Sequence, residues 1–231
     1  MCGRYTLFTP PEDLEDRFGA RFERSPEPRY NAAPGQHLPV VTNDAPEAIQ
    51  EFRWGLVPSW TDDESIGNRL INARAETIDE KRSFRGAYES RRCLVLADGF
   101  YEWTETENGK QPYRVRLEDD APFAMAGLYE RWQPPQKQTG LAEFGGDDEP
   151  SRETDTIETF TIVTTEPNEV VSDLHHRMAV VLDPSDEERW LAEGGTDVLH
   201  PYEGAMDAYP VSTAVNNPAN DSPALVDPAP A

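Results

Sequence analysis

Short apolar runs, each closed by a turn signal, recur along this chain and leave it few folds to choose from. IQEFRWGLVPSW ends in a turn at Pro58, and RCLVLADGFYEWTET splits into two strand-like runs at Asp98-Gly99. Asn108-Gly109 then supplies a hairpin turn before QPYRVRLED, where Tyr113, Val115 and Leu117 alternate with period two. APFAMAGLYERW and IETFTIVTTEP read as further strands, the second with Ile157, Thr159, Thr161 and Val163 on one side and Phe160 and Ile162 on the other. Such a succession predicts an α+β chain built on a mostly antiparallel, curled or barrel-like β-sheet with peripheral helices.

The helices are brief. Thr9-Pro10-Pro11-Glu12 reads as a capping box that starts one, with Leu14 and Phe18 on a shared face and Gly19 as its stop. RYNAAPGQHLPVVT reads as a loop running into a strand, INARAETIDEKRSF as extended and then helical, and NEVVSDL and Pro184-Ser185 as two further helix starts. The expected organisation is a single domain over residues 1–217. Within it, 133–155 form a flexible acidic insertion, and a disordered tail follows at 218–231.

Composition bears more on the solvent than on the ligand. The 231 residues carry 44 Asp and Glu against 21 Lys and Arg, a net charge of −23, which taken alone argues against nucleic-acid binding. Only Lys81, Lys110 and Lys137 are lysines, and an acidic, lysine-poor globular chain fits concentrated salt, where self-repulsion is screened. A halophilic source is therefore expected. Two cysteines cannot form a disulfide framework, no signal peptide opens the chain, and no stretch reaches the roughly 18 apolar residues of a membrane span, so a cytoplasmic protein without a membrane partner is expected. With no zinc-type spacing, P-loop or dinucleotide fingerprint, no metal and no cofactor are expected, and without heptads the chain is expected to be a monomer.

The chemistry starts at Cys2. Removal of Met1 would leave a 1,2-aminothiol, an amine with a pKa of about 7.7–8.0 beside a thiol of about 8.5, both partly deprotonated at neutral pH and able to trap an aldehyde as a thiazolidine. The competing reading is an inert, packed cysteine. Glu102, between Tyr101 and Trp103, suits a general acid or base if burial raises its pKa, whereas a solvent-facing glutamate on an edge strand would do nothing. Asn72 and Arg74 fall on one side of an extended run, placing an amide beside a guanidinium. Arg4, Arg29, Arg74 and Arg177 occupy the least acidic neighbourhoods and are candidates for an anion-binding floor. His175 and His176, adjacent in an extended segment, should face opposite ways, so one at most serves a given site.

Taken together, MCGRY, YNAAPG at 30–35, WGLVPSW at 54–60, INARAET at 71–77, ADGFYEW at 97–103, IVTTEPN at 162–168 and LHHRMAVVL at 174–182 resemble the SOS response-associated peptidase (SRAP) family, in family order. The resemblance implies the SRAP fold and a DNA–protein crosslinker acting on abasic sites in single-stranded DNA during the DNA damage response. Carried over residue by residue, it implies Cys2 as N-terminal nucleophile, Asn72 as the amide that positions it, Glu102 as acid/base and His175 as catalytic histidine. It further implies Arg4, Arg74 and Arg177 as phosphate contacts assisted by Asn31, with Pro34 and Trp60 wedged against the bases. This chain departs from the family pattern at His176 and at Ala179. Two other functions fit the same residues: an N-terminal-nucleophile cysteine peptidase, and a noncovalent module for single-stranded DNA or lesions.

Overall fold

The computed structural model describes residues 2–107, 109–135 and 156–229. Five antiparallel-dominated strands close into a barrel: β4 (His37–Thr42), β5 (Ala45–Trp54), β7 (Arg92–Ala97), β10 (Phe123–Trp132) and β11 (Ile157–Thr165). β11 pairs with β10 and, through Thr159↔Arg53 and Phe160↔Trp54, runs parallel to β5 to complete the ring. Closure removes the exposed edges that so many short strands would otherwise present. β2 (Arg21–Phe22) adds to β5, while β6 (Asn72–Arg74) and β12 (Met178–Ala179) add to β11. The second sheet is antiparallel, ordered β13 (Met206–Pro210), β9 (Gly109–Leu117), β8 (Gly99–Thr106), β1 (Tyr5–Leu7), β3 (Arg29–Ala32). The expected curled, barrel-like sheet is what forms.

One residue carries the chain from barrel to sheet. Asp98 follows β7 and precedes β8, is 2% exposed, and accepts hydrogen bonds from Thr6 Oγ1 (2.6 Å), Phe8 N (2.6 Å), Thr9 N (2.9 Å) and Thr9 Oγ1 (3.0 Å). Arg114, 3% exposed, donates from Nη2 to the Asp98 carbonyl at 2.8 Å and offsets the buried carboxylate charge. Thr9 is thus not a helix cap. The first helix, α1 (Pro11–Phe18), has Pro10 at its N-cap with no side-chain bond, because the Thr9 hydroxyl has a buried carboxylate to serve instead. Its stop stands as expected, with Gly19 left-handed at φ 63°.

Other boundaries shift as well. The loop expected through RYNAAPG begins as β3, and the helix expected after INARA is a single 3-10 turn at Ala75–Thr77, with α2 starting only at Arg85–Ser90. The α3 (Glu169–Ser172) and α4 (Pro184–Ala192) helices fall where the sequence puts them, the latter capped by Asp183 with Pro184 in its first turn. The tail is a correction. Residues 218–229 fold back, Leu225 is 3% exposed, and Asp221 Oδ1 accepts from the backbone N–H of Tyr30 (2.6 Å) and Asn31 (3.1 Å). Buried apolar area and paired backbone donors hold what composition alone reads as unordered. The expected insertion at 133–155 and the hairpin residue Asn108 lie largely outside the described residues.

The core fixes the site from below. Trp54, 1% exposed, packs between Tyr5 (5.3 Å between ring centroids) and Phe160 (6.2 Å), and its Nε1 donates to the Ile71 carbonyl at 2.9 Å. Just past it, Gly55 at φ 127° lets the backbone approach so closely that a Cβ there would lie 2.7 Å from the Gly67 carbonyl oxygen. These two contacts set the chain that enters β6.

Candidate active site

The first residues of the chain lie between β6 and β8. Tyr101 N–H donates to the Arg4 carbonyl at 3.0 Å, and Asn72 Nδ2 donates to the Cys2 carbonyl at 3.0 Å and to the Ile71 carbonyl at 2.7 Å. The other amide atom, Asn72 Oδ1, is buried without a hydrogen-bond partner among the described residues. A buried acceptor left open beside the Cys2 backbone is a berth for an N–H donor.

Cys2 is fully buried, its Sγ 4.0 Å from the Arg4 carbonyl. Burial, reinforced by the neighbouring Glu102 carboxylate, pushes the thiol pKa well above its ordinary value. With Met1 still on the chain the sulfur therefore sits as S–H near neutral pH. Glu102, on β8, is 2% exposed, and burial raises its carboxyl to about 8. His175 follows α3, and its Nδ1 stands 3.8 Å from Glu102 Oε2. Burial lowers the imidazole pKa, so near pH 7 this contact joins a carboxylic acid to a neutral imidazole rather than two ions. A proton passed from the acid to the imidazole would leave a carboxylate beside an imidazolium, an ion pair in which each partner steadies the other.

The two histidines do not face opposite ways. Their rings lie 4.3 Å apart between centroids, because the chain bends at His176 instead of running extended. His176 is exposed, and it is His175 that reaches Glu102.

The arginines divide. Arg4 is half-buried and donates from Nη1 to Asn31 Oδ1 (3.1 Å) and to the Val215 carbonyl (2.9 Å), meeting no carboxylate among the described residues. Asn31 is fully buried, and its Nδ2 donates to the carbonyls of Val215, Asn217 and Asn220, so its contact with any ligand runs through Arg4. Arg29 is neutralised by Asp221 at 3.3 Å and Glu27 at 3.8 Å, which removes it from the anion floor. Arg177, 9% exposed, is held by Glu76 and by the Thr164 carbonyl. Arg74 is exposed beside Asn72 and forms no ion pair among the described residues. Pro34 tips the exposed β3–β4 turn, and Trp60 is 45% exposed.

Two residues escaped the sequence reading. Arg82 stacks its guanidinium 4.2 Å over the Trp60 ring and accepts from Trp60 Nε1 at 3.4 Å through its carbonyl. Glu76 closes on Arg177 across the site. Neither signal is local: each pairing spans many residues of chain and becomes visible only once β6 lies on β11. Among the described residues no group of three or more His, Cys, Asp or Glu side chains is placed to hold a metal ion.

Comparison with known proteins points the same way as this geometry. The profile described as SOS response associated peptidase (SRAP) matches residues 1–218. The chain is 41% identical over 239 residues to the abasic site processing protein YoqW of Bacillus subtilis (strain 168), covering 98% of this chain and 99% of that protein. It is 31% identical over 288 residues to the abasic site processing protein HMCES of Pongo abelii, covering 99% and 76% respectively. A crystal structure of a protein from Bacteroides thetaiotaomicron superposes with a TM-score of 0.83 at 27% identity, over 99% of this chain and 100% of that one. The chain belongs to the SOS response associated peptidase (SRAP) family.

Proposed function

We propose that the protein captures abasic sites in single-stranded DNA as a covalent thiazolidine on Cys2, once Met1 has been removed. The observation that carries this reading is the convergence of Cys2, Asn72, Glu102 and His175, with the Asn72 amide bonded to the Cys2 backbone and the acid and imidazole 3.8 Å apart. Relatives named as abasic site processing proteins support the abasic site as the target.

The opened deoxyribose presents an aldehyde. The freed α-amine adds to its carbon, the carbinolamine loses water, and the resulting imine keeps an electrophilic carbon double-bonded to the former amine nitrogen. Glu102, protonated near neutral pH because its carboxyl titrates at about 8, donates the proton on which water departs, and His175 as neutral base accepts one from the attacking amine. The Cys2 sulfur then bonds to the imine carbon while its proton passes to nitrogen, closing the ring with no net proton change. A thiol held neutral by burial suits that last step, since it brings its own proton. Asn72 Oδ1, open in the structure, accepts from the freed amine and aims it.

Arg74 and Arg4 meet the phosphates flanking the lesion, with Asn31 steadying Arg4. Pro34 and Trp60, both exposed, offer faces against which unpaired bases stack.

The test is a denaturing gel of the protein with a single-stranded oligonucleotide bearing one abasic site. Wild type is expected to give a shifted band that survives denaturant, and Cys2→Ser to give none, since a hydroxyl forms no comparably stable ring. A band retained in Cys2→Ser overturns the assignment. Peptide turnover without an adduct would favour the peptidase, and native binding unchanged in Cys2→Ser without any adduct in either protein would favour the noncovalent module.

A further inference from the structure

Among the described residues Trp60 is the large apolar side chain that stands open to solvent, 45% exposed. Its backbone is fixed all the same. Thr61 N–H donates to the Pro58 carbonyl at 3.1 Å, closing the turn that carries the indole, and the Thr61 carbonyl accepts from Trp132 Nε1 at 2.7 Å, pinning that turn to β10. A ring so exposed would still turn about its side-chain bonds unless a second contact held it.

Arg82 makes that contact. Its guanidinium lies 4.2 Å from the centroid of the Trp60 ring, and its carbonyl accepts from Trp60 Nε1 at 3.4 Å, so one residue meets both a face and an edge of the indole. Arg82 stands in the turn before α2, where the N–H groups of Phe84 and Arg85 both donate to the Lys81 carbonyl at 2.9 Å and the Phe84 ring is buried. The guanidinium forms no ion pair among the described residues, although Asp79 and Glu80 shortly precede it. In a chain with 44 acidic side chains this exposed cation lies on a ring and not on a carboxylate.

A flat guanidinium covers the face on which it lies. The indole keeps one open face, enough for one base and too little for insertion between two. We propose that Arg82 is a positioning residue for Trp60: it closes one face of the indole and holds the ring for a single unpaired base to stack on the other. A ring ordered before DNA arrives loses less freedom on binding, and a stacked contact does not depend on which base is present. The role of the base rests on the DNA-binding reading above; the packing of Arg82 on Trp60 does not.

The test is a double-mutant cycle read by NMR and by binding, on the full chain and with oligothymidylate that carries no abasic site. The Trp60 indole N–H signal, assigned by its loss in Trp60→Phe, is expected to shift in Arg82→Ala before any DNA is added. On titration with oligothymidylate the same signal in wild type is expected to move as a base stacks on the ring. Arg82→Ala is expected to weaken binding about threefold to fivefold, and Arg82→Lys, which keeps the charge without the flat stack, to restore it in part. In a Trp60→Ala background, itself weakened roughly tenfold, Arg82→Ala is expected to cost little more, because its partner is gone. With an abasic oligonucleotide, Arg82→Ala should raise the half-saturating DNA concentration and leave the maximal crosslinking rate unchanged. An indole signal indifferent to Arg82→Ala overturns the proposal. So does an equal loss of affinity with and without Trp60, which would make Arg82 a DNA contact independent of the ring, and so does a wild-type indole signal that oligothymidylate never moves. If wild type binds oligothymidylate but forms no crosslink with abasic DNA, the crosslinking reading fails and the cycle still decides this one.

Discussion

Glu102 ties the chemistry of the site to the stability of the fold. Its carboxyl is raised by burial from 4.5 to about 8, so the folded chain holds that proton more tightly than the unfolded one. The associated stability is fully present below pH 4.5 and is lost as pH rises through 8. Glu102→Gln cannot ionise, and is expected to match wild type near pH 4.5 but to exceed it by roughly 2–4 kcal/mol at pH 8, while its crosslinking rate falls steeply. Thermal melts across that range check the sign: a variant less stable than wild type at pH 8 contradicts a protonated Glu102. Cys2, Asn72, Glu102 and His175, which the fold brings together at the proposed site, each stand in a motif readable in the sequence. What the motifs could not carry was ionisation: the Cys2 thiol is pushed up because it is entirely buried, and burial depends on strands that lie far apart in sequence. Arg177 and Asn31 illustrate the same limit. Residue type suits both to anions, while the bonds that fix them, to Glu76 and to the carbonyls of Val215, Asn217 and Asn220, come from residues distant in sequence.

Elements were legible where alternation and turn chemistry agree. β7, β8 and β9 fall where Asp98-Gly99 and the following hairpin signal divide the sequence, and α4 where Pro184-Ser185 starts it. They were not legible where a partner distant in sequence decides, as at β3, whose backbone pairs with β1, and at Thr9, drawn to Asp98 instead of capping α1. Two predictions belong here. Asp98→Ala removes the acceptor of five hydrogen bonds and leaves Arg114 without its buried carboxylate partner, so denaturant unfolding should report a loss of about 3–5 kcal/mol. A loss below about 1 kcal/mol would mean the barrel-to-sheet crossing is held by something else. Leu225→Ala is expected to cost about 2–4 kcal/mol because the segment it anchors is packed; a neutral effect would return residues 218–229 to an unordered tail.

For the molecule as a whole the governing quantity is a net charge of −23. Screening should relieve self-repulsion, so the melting temperature is expected to rise with KCl from low to molar concentration, and a flat or falling trend would count against a halophilic surface. On the proposed function the same salt would weaken contacts of Arg4 and Arg74 with phosphate, and covalent capture would compensate because a bond once formed does not depend on equilibrium affinity. Crosslinking yield is therefore expected to persist in molar KCl. Its collapse while the fold survives would remove that compensation from the account.

The central claim is tested most directly by the intact mass of the protein before and after incubation with a single-stranded oligonucleotide carrying one abasic site. The account predicts a chain lacking Met1 that gains the mass of the oligonucleotide less one water, and Cys2→Ala that loses Met1 but gains no stable adduct. A chain that keeps Met1, or one whose mass never shifts, contradicts capture by the Cys2 aminothiol.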